Sequence, residues 1–172
     1  MKHYKIITIM IGICLNFSSQ IKAQVTTDSE LFIQLEKIDS LLFDEGFNKC
    51  NFIELEKLIS DDFEFYHDVN GQQNREEFFI TFRESLCSNP NFKPLRKLVP
   101  GSLEVFQLKN NGEIYGAIQK GVHEFYIKEP NKDIYITNTA RFTNILLLEN
   151  GIWKYKRILS YDHKDPRLKK SK

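Results

Sequence analysis

Apolar residues in the first half of the chain recur with the period of an α-helix. A first predicted helix places its apolar face at Leu31, Leu35, Ile38 and Leu42. Thr27, with Glu30 three residues later, has the spacing of a helix cap, and Gly46 ends the helix. Asn51 and Asn74, each with Glu three residues later, predict the starts of two further helices. The sequence therefore predicts three helices before residue 90.

Strand patterns dominate the rest of the chain. The aromatic segment 63–68 predicts one strand between the second and third helices. Further segments rich in β-branched and aromatic residues lie near 94–99, 102–109, 113–127, 134–148 and 152–162. Asn111-Gly112 and Asn150-Gly151 predict tight hairpins. The predicted fold class is α+β: N-terminal helices packed on a strongly curved antiparallel sheet that forms an open cone, whose interior suits a small molecule.

Residues 1–23 have the pattern of a signal peptide. Lys2 and Lys5 precede a short apolar stretch, and Ala23 supplies a small residue for cleavage. The stretch is too short for a stable membrane anchor. We therefore expect an exported domain at 24–163, periplasmic or secreted, followed by a basic flexible tail at 164–172.

Charge and cysteine content narrow the function classes. Lys plus Arg total 24 and Asp plus Glu total 23, so no basic excess favours a nucleic-acid partner. Outside the signal segment the chain has Cys50 and Cys87. An oxidising compartment permits them to pair, but their spacing leaves a disulfide and two buried thiols equally open.

Four short segments carry a family resemblance. They are 58–65 (LISDDFEF), 68–71 (DVNG), 75–79 (REEFF) and 151–154 (GIWK). In this order they resemble the nuclear transport factor 2-like superfamily, which includes SnoaL-like polyketide cyclases and ketosteroid isomerase. The resemblance spans about 28–163 and implies the cone fold. It does not transfer a function, because this fold hosts many unrelated activities.

The ketosteroid isomerase comparison can be tested on its residues. The resemblance places the general base of that enzyme at Asp68, which begins an Asp-x-x-Gly turn. The enzyme also needs a Tyr from its first helix and an acid from a late strand. No Tyr lies between residue 24 and Tyr66, and residues 134–148 contain no Asp or Glu. Steroid isomerisation is therefore excluded, while Asp68 stays either a base for another substrate or a turn cap.

Three histidines on predicted strands are the main polar candidates. Strand alternation places His67, His123 and His163 on inward-facing positions, with Arg157 on the face of His163. Arg157 either binds an anionic or carbonyl group, pairs with a carboxylate such as Asp68, or lies at the rim. The expected ligand-binding walls are Phe65, Tyr115, Phe125 and Tyr161.

The favoured interpretation is an exported protein that binds a small apolar molecule, with no cofactor and no metal. No His-x-His pair or His-Glu-x-x-His helix supports a metal, and Ser85, Ser102 and Ser160 lack a nucleophile motif. One alternative is an acid/base enzyme of the cyclase, isomerase or dehydratase type that uses His67 or Asp68. The other is a scaffold that forms a homodimer through the outer face of the sheet. The expected core groups Trp153 with Phe79, Phe82, Leu86 and Leu146.

Overall fold

A computed structural model describes residues 24–166, in which helices precede a large sheet. The helices are α1 (Glu30–Ser40), α2 (Phe52–Leu58) and α3 (Arg75–Thr81), and π-helical turns extend α1 over Leu41–Phe47 and α3 over Phe82–Leu86. The strands are β1 (Ile59–His67), β2 (Gly71–Asn74), β3 (Lys93–Leu98), β4 (Glu104–Asn110), β5 (Glu113–Lys128), β6 (Tyr135–Glu149) and β7 (Ile152–Lys164). The predicted signal peptide and residues 167–172 of the predicted tail lie outside the described residues. Lys164, the first residue of the predicted tail, is the last residue of β7.

Two of the three predicted helix caps are confirmed, and the cap of the first helix is corrected. Asn51 accepts from the backbone N–H of Glu54, and Asn74 forms a reciprocal capping box with Glu77. The first helix is capped by Ser29 rather than by Thr27, because the Ser29 hydroxyl accepts the N–H of Phe32 at 3.2 Å. Each helix thus begins where a side chain satisfies a free backbone donor.

The sheet is curved and open, and its order is β2-β1-β7-β6-β5-β3, with β4 also paired to β5. The α+β class is confirmed, but the sheet is mixed rather than wholly antiparallel, because β1 and β7 run parallel. β1 also begins at Ile59, earlier than the predicted strand, directly after α2. The consequence for function is that the carboxyl ends of β1 and β7 lie side by side.

Both predicted Asn-Gly hairpins are confirmed. Asn111 and Gly112 have φ values of 50° and 90°, and Asn150 and Gly151 have values of 51° and 79°. Two successive positive φ angles are the geometry that favours Asn-Gly in two-residue turns. These turns set the antiparallel pairings of β4 with β5 and of β6 with β7.

The core fills the space between the helices and the concave face of the sheet. It includes Phe79, Phe82 and Leu146, and Leu86 packs against it. Trp153 also packs against this core, but it is only half-buried and lines an open groove with Leu31 and Ile38 of α1. The groove lies at the hairpin end of β7, where Trp153 is the register partner of Leu148. No helix within residues 24–166 is long and apolar enough to cross a membrane.

A disulfide joins the helical segments beside the sheet. Cys50 follows the π-helical extension of α1, and Cys87 follows that of α3, with their Cα atoms 6.0 Å apart. Lys93 Nζ lies 2.8 Å from Cys50 Sγ and donates to the Phe47 carbonyl at 3.0 Å. Of the two alternatives left open by the sequence, the structure has the disulfide and not two buried thiols.

Candidate functional site

A cavity of about 690 Å³ lies between the helices and the concave face of the sheet. Its wall is mainly apolar and is formed by Leu42, Phe43, Phe47, Phe65, Phe78, Phe82, Leu86, Phe125, Ile127 and Ile158. Among the polar residues on the wall, His67, His123, Ser160 and His163 are linked by ring and hydrogen-bond contacts and form its polar end. A mostly apolar cavity with a few convergent polar groups is typical of small-molecule sites.

The parallel strands β1 and β7 bring the polar end together. His67 is the register partner of Ser160, so the two residues lie side by side across the β1–β7 pair. His123 enters from β5, where its register partner is Ala140 of β6. The three histidines predicted to share a cavity therefore do so.

A bulge in β7 turns His163 into the cavity. Between Tyr161 and Lys164, β7 advances three residues while β6 advances two, and Asp162 has a φ of 61°. The irregularity reverses the alternation after Tyr161. His163 consequently lies on the same face as Ser160, three residues before it, and not on the face of Tyr161 as simple alternation predicts.

A continuous hydrogen-bonded chain runs through the polar end. Asp68 Oδ1 lies 2.5 Å from His163 Nδ1, and the other oxygen of Asp68 accepts the backbone N–H of His163 at 3.2 Å. Ser160 Oγ lies 3.4 Å from His163 Nε2 and 3.4 Å from His123 Nε2. Arg96 Nε donates to His123 Nδ1 at 3.4 Å. The chain thus links a carboxylate at the cavity rim to a buried guanidinium.

Arg96 is held by partners other than the ligand. It is 2% exposed, and its two terminal nitrogens donate to the carboxylate of Asp39 at 2.7 and 3.0 Å. Its guanidinium also stacks on the Phe43 ring at 3.7 Å. The positive charge is thereby neutralised by Asp39 of α1 and does not enter the cavity.

His67 completes the polar end by stacking. Its ring lies 4.2 Å from that of His163, at an angle of 22°. Its Nδ1 accepts the backbone N–H groups of Val69 and Asn70 at 3.1 and 3.2 Å. The hydrogen of the neutral ring must therefore lie on Nε2, so His67 offers the cavity a donor rather than a free base.

Burial sets the protonation of this cluster. Desolvation, reinforced by the charge of Arg96, lowers the pKa of His123 to about 2. Desolvation and the neighbouring His163 also lower the pKa of His67. For Asp68 desolvation acts to raise the pKa, but hydrogen bonds from the backbone and ring of His163 outweigh it and lower the pKa overall. His123 and His67 therefore stay neutral at physiological pH, while Asp68 is a carboxylate.

The structure places the predicted site residues in two groups. Those on the cavity are Phe65, His67, His123, Phe125 and His163, with Asp68 hydrogen-bonded to His163 at the rim. Arg157, Tyr161 and Tyr115 do not line the cavity. The expectation for these three is therefore corrected.

The physical reasons for the correction are their partners and their faces. Arg157 lies on the outer face, where its Nε contacts Glu64 at 2.7 Å and a terminal nitrogen donates to the Asp62 carbonyl at 2.8 Å. Tyr161 shares that face and contacts Thr143 at 3.2 Å. Tyr115 is 47% exposed near the β4–β5 hairpin, far along the sheet from His123. Arg157 thus pairs with Glu64 and not with Asp68.

The donor atoms of His67, Asp68 and His163 lie within 4.8 Å of one another, a set that could hold a metal ion. The Nδ1 atoms of both histidines are already hydrogen-bonded, however. Two backbone N–H groups point at Nδ1 of His67, and Nδ1 of His163 faces Asp68 at 2.5 Å. A cation bound at these two Nδ1 atoms would displace the three hydrogen bonds.

Sequence reasoning missed three members of the chain: Ser160, Arg96 and Asp39. Alternation offered a signal for Arg96, since it shares a strand face with Pro94 and Leu98, which contact the cavity and the core. Asp39 is a polar residue next to the apolar helical position Ile38, and nothing in the sequence marks it as the partner of Arg96. Ser160 lacks any motif, and only the tertiary structure identifies its neighbours.

Comparison with known proteins identifies the fold. No protein-family model matches the chain, and no curated protein sequence matches it. A Xanthomonas campestris protein described as a calcium/calmodulin-dependent protein kinase II association domain is 18% identical with a TM-score of 0.62, over 84% of this chain and 94% of its own. ActVI-ORFA of Streptomyces coelicolor is 11% identical with a TM-score of 0.59, over 79% and 98%. A Cytophaga hutchinsonii protein described as nuclear transport factor 2-like is 16% identical with a TM-score of 0.55, over 77% and 97%.

Proposed function

Since the chain has the nuclear transport factor 2-like fold, we propose that it is an exported protein that binds a small, largely apolar molecule in its cavity. The observation that carries the proposal is the cavity of about 690 Å³, with its aromatic and aliphatic wall and one hydrogen-bonding end. Volumes of this size accommodate drug-sized molecules in other proteins. The fold alone does not supply the function, because it serves many activities.

The polar end favours an uncharged hydrogen-bonding group on the ligand. His67 and His123 are neutral, and the charge of Arg96 is paired with Asp39. With Arg157 outside the cavity, no unpaired cation among residues 24–166 lines the wall to meet a carboxylate. A hydroxyl, phenol or carbonyl group fits the donors and acceptors present.

Export is supported by two independent features. The signal-like pattern of residues 1–23 is one. The other is the disulfide between Cys50 and Cys87, because disulfides form and persist mainly in oxidising compartments. A periplasmic or secreted location accounts for both.

The binding proposal is tested with 2-naphthol, an aromatic probe with a single hydroxyl, by isothermal titration calorimetry. We expect saturable one-to-one binding that Thr137→Trp abolishes, because Thr137 lines the cavity and the larger side chain fills it. Arg157→Gln is the matched control and should bind as the unaltered chain does, since Arg157 lies outside the cavity. Native mass spectrometry of protein from its own cells would then identify what co-purifies. Equal binding by the Thr137→Trp variant would refute the cavity as the site.

Acid/base catalysis is the second candidate, favoured by the contact of 2.5 Å between His163 and Asp68. Of the residues first considered, His67 has its Nδ1 engaged and Asp68 is the partner of His163, so the base is His163. Incubating the complex in deuterated water tests this candidate. An acid/base enzyme adds deuterium to the co-purified molecule, and His163→Gln stops the exchange whereas Arg157→Gln leaves it unchanged.

A further inference from the structure

We propose that Ser160, His163 and Asp68 form a nucleophilic centre that takes an acyl group from a small apolar ester or lactone held in the cavity. The proposal rests on the cavity binding proposed above but assigns a reaction that binding does not require. It also reverses the expectation from sequence, which dismissed Ser160 because no Gly-x-Ser-x-Gly motif surrounds it. Such centres are recognised by geometry and not by sequence order.

The three side chains have the connectivity of a nucleophile, a base and an orienting carboxylate. Ser160 Oγ lies 3.4 Å from His163 Nε2, and His163 Nδ1 lies 2.5 Å from Asp68 Oδ1. Contacts between nucleophile and base are often loose before substrate binds. Ser160 and His163 both line the cavity, so the hydroxyl and its base face the space that a substrate would occupy.

Neighbouring donors fix the direction of the serine proton. Arg96 always donates, so its contact with Nδ1 of His123 places the hydrogen of that neutral ring on Nε2. This hydrogen faces Ser160 Oγ at 3.4 Å and leaves the serine no acceptor on His123. The carboxylate of Asp68 holds the hydrogen of His163 on Nδ1, so His163 Nε2 is the acceptor. The hydroxyl proton of Ser160 therefore points to its base.

The reaction balances with an ester and water alone. Ser160 Oγ bonds to the carbonyl carbon while its proton passes to His163 Nε2, and the carbonyl electron pair moves onto oxygen. The Nε2–H of His123 lies 3.4 Å from Ser160 Oγ before the reaction, and in the proposed step this donor, backed by Arg96 at Nδ1, turns to that oxyanion. Collapse breaks the bond to the alkoxy group, which leaves with the proton from His163. Water, deprotonated by His163, then releases the acid from the acyl-serine and the proton returns to Ser160.

A second serine in the cavity supplies the matched control. Ser85 also lines the cavity, and none of the hydrogen bonds among residues 24–166 joins its hydroxyl to an imidazole. If accessibility alone made a serine reactive, Ser85 and Ser160 would react equally. If activation by His163 and Asp68 is required, Ser160 reacts and Ser85 does not.

The test uses a fluorophosphonate probe on the full chain without its signal segment, with p-nitrophenyl butyrate as the ester. We expect the probe to lose fluoride and to phosphonylate Ser160, located by peptide mass mapping, and the ester to be hydrolysed. Ser160→Ala and His163→Gln should lower both rates by at least about 100-fold, and Asp68→Asn should lower them markedly. The probe should leave Ser85 unmodified, and Arg157→Gln, which lies outside the cavity, should leave both rates unchanged.

Two outcomes would overturn the proposal. One is an unmodified Ser160 in chain that binds 2-naphthol, which removes the nucleophile and leaves the binding function intact. The other is a Ser160→Ala variant that hydrolyses the ester at the original rate. Failure to bind 2-naphthol counts instead against the proposed function, so the two failures are distinguishable. Thermal unfolding of each variant shows that it is folded, and His163→Ala provides a second, smaller replacement of the base.

Discussion

At the polar end, the position of the ring hydrogen on each imidazole is set by a neighbouring group that can only donate or only accept a hydrogen bond. Backbone N–H groups assign His67, the guanidinium of Arg96 assigns His123, and the carboxylate of Asp68 assigns His163. Three residues of one type therefore perform different tasks. His67 and His123 present donors, and His163 presents the lone pair.

The acid sensitivity of the fold should originate partly at His123. The unfolded chain takes up a proton at this residue below about pH 6.5, whereas the folded chain does not until about pH 2. The free energy of unfolding should therefore decrease as the pH falls below 6.5, by up to about 1.4 kcal/mol per pH unit from this group. Urea titrations at intervals between pH 5 and 8 measure the slope.

The control for this prediction is His123→Asn, whose carbonyl can still accept from Arg96. Its free energy of unfolding should fall less steeply between pH 6.5 and 5, with the remaining slope due partly to His67, whose pKa burial also lowers. Most carboxylates titrate below this window and affect both proteins alike. An unchanged slope in the variant would show that His123 is protonated in the folded chain.

Most of the helices, strands and turns could be predicted from local patterns in the sequence. Caps and Asn-Gly turns depend on neighbouring residues, and the sequence displays them directly. The pairing of β1 with β7 depends on residues about a hundred positions apart and has no local signal. The site could likewise be predicted only where alternation along a strand is regular. Alternation predicted the inward position of His67. The bulge at Asp162 breaks it in β7, so that His163 and Arg157 lie on opposite faces.

The disulfide links the two helical extensions that border the cavity, since Phe47 and Leu86 line it beside Cys50 and Cys87. Replacing both cysteines with serine should lower the free energy of unfolding by about 2–4 kcal/mol, because the unfolded chain regains the entropy of an open loop. Chemical denaturation with and without dithiothreitol measures the effect. The reductant should destabilise the unaltered chain to the same extent and leave the double variant unchanged; a variant as stable as the oxidised chain would contradict the prediction.

Export is a property of the whole chain and has a direct readout. The proposed signal peptide predicts that protein recovered from outside the cytoplasm begins at Gln24. Intact-mass measurement and N-terminal sequencing check this, and a Lys2→Glu, Lys5→Glu variant should accumulate uncleaved inside the cell. Exported protein that still begins at Met1 would contradict the cleavage.

The parallel pairing of β1 with β7 also orders events during folding. Asp68 and His163 are separated by 95 residues, so their contact closes a loop that contains β2 to β7 and α3. Closing so long a loop has an entropic cost, and chains dominated by distant contacts fold slowly. Because β7 is the last strand of the described residues, one edge of β1 stays unpaired until the end of this part of the chain has joined the sheet. The polar end of the cavity is consequently complete only once β7 has paired with β1.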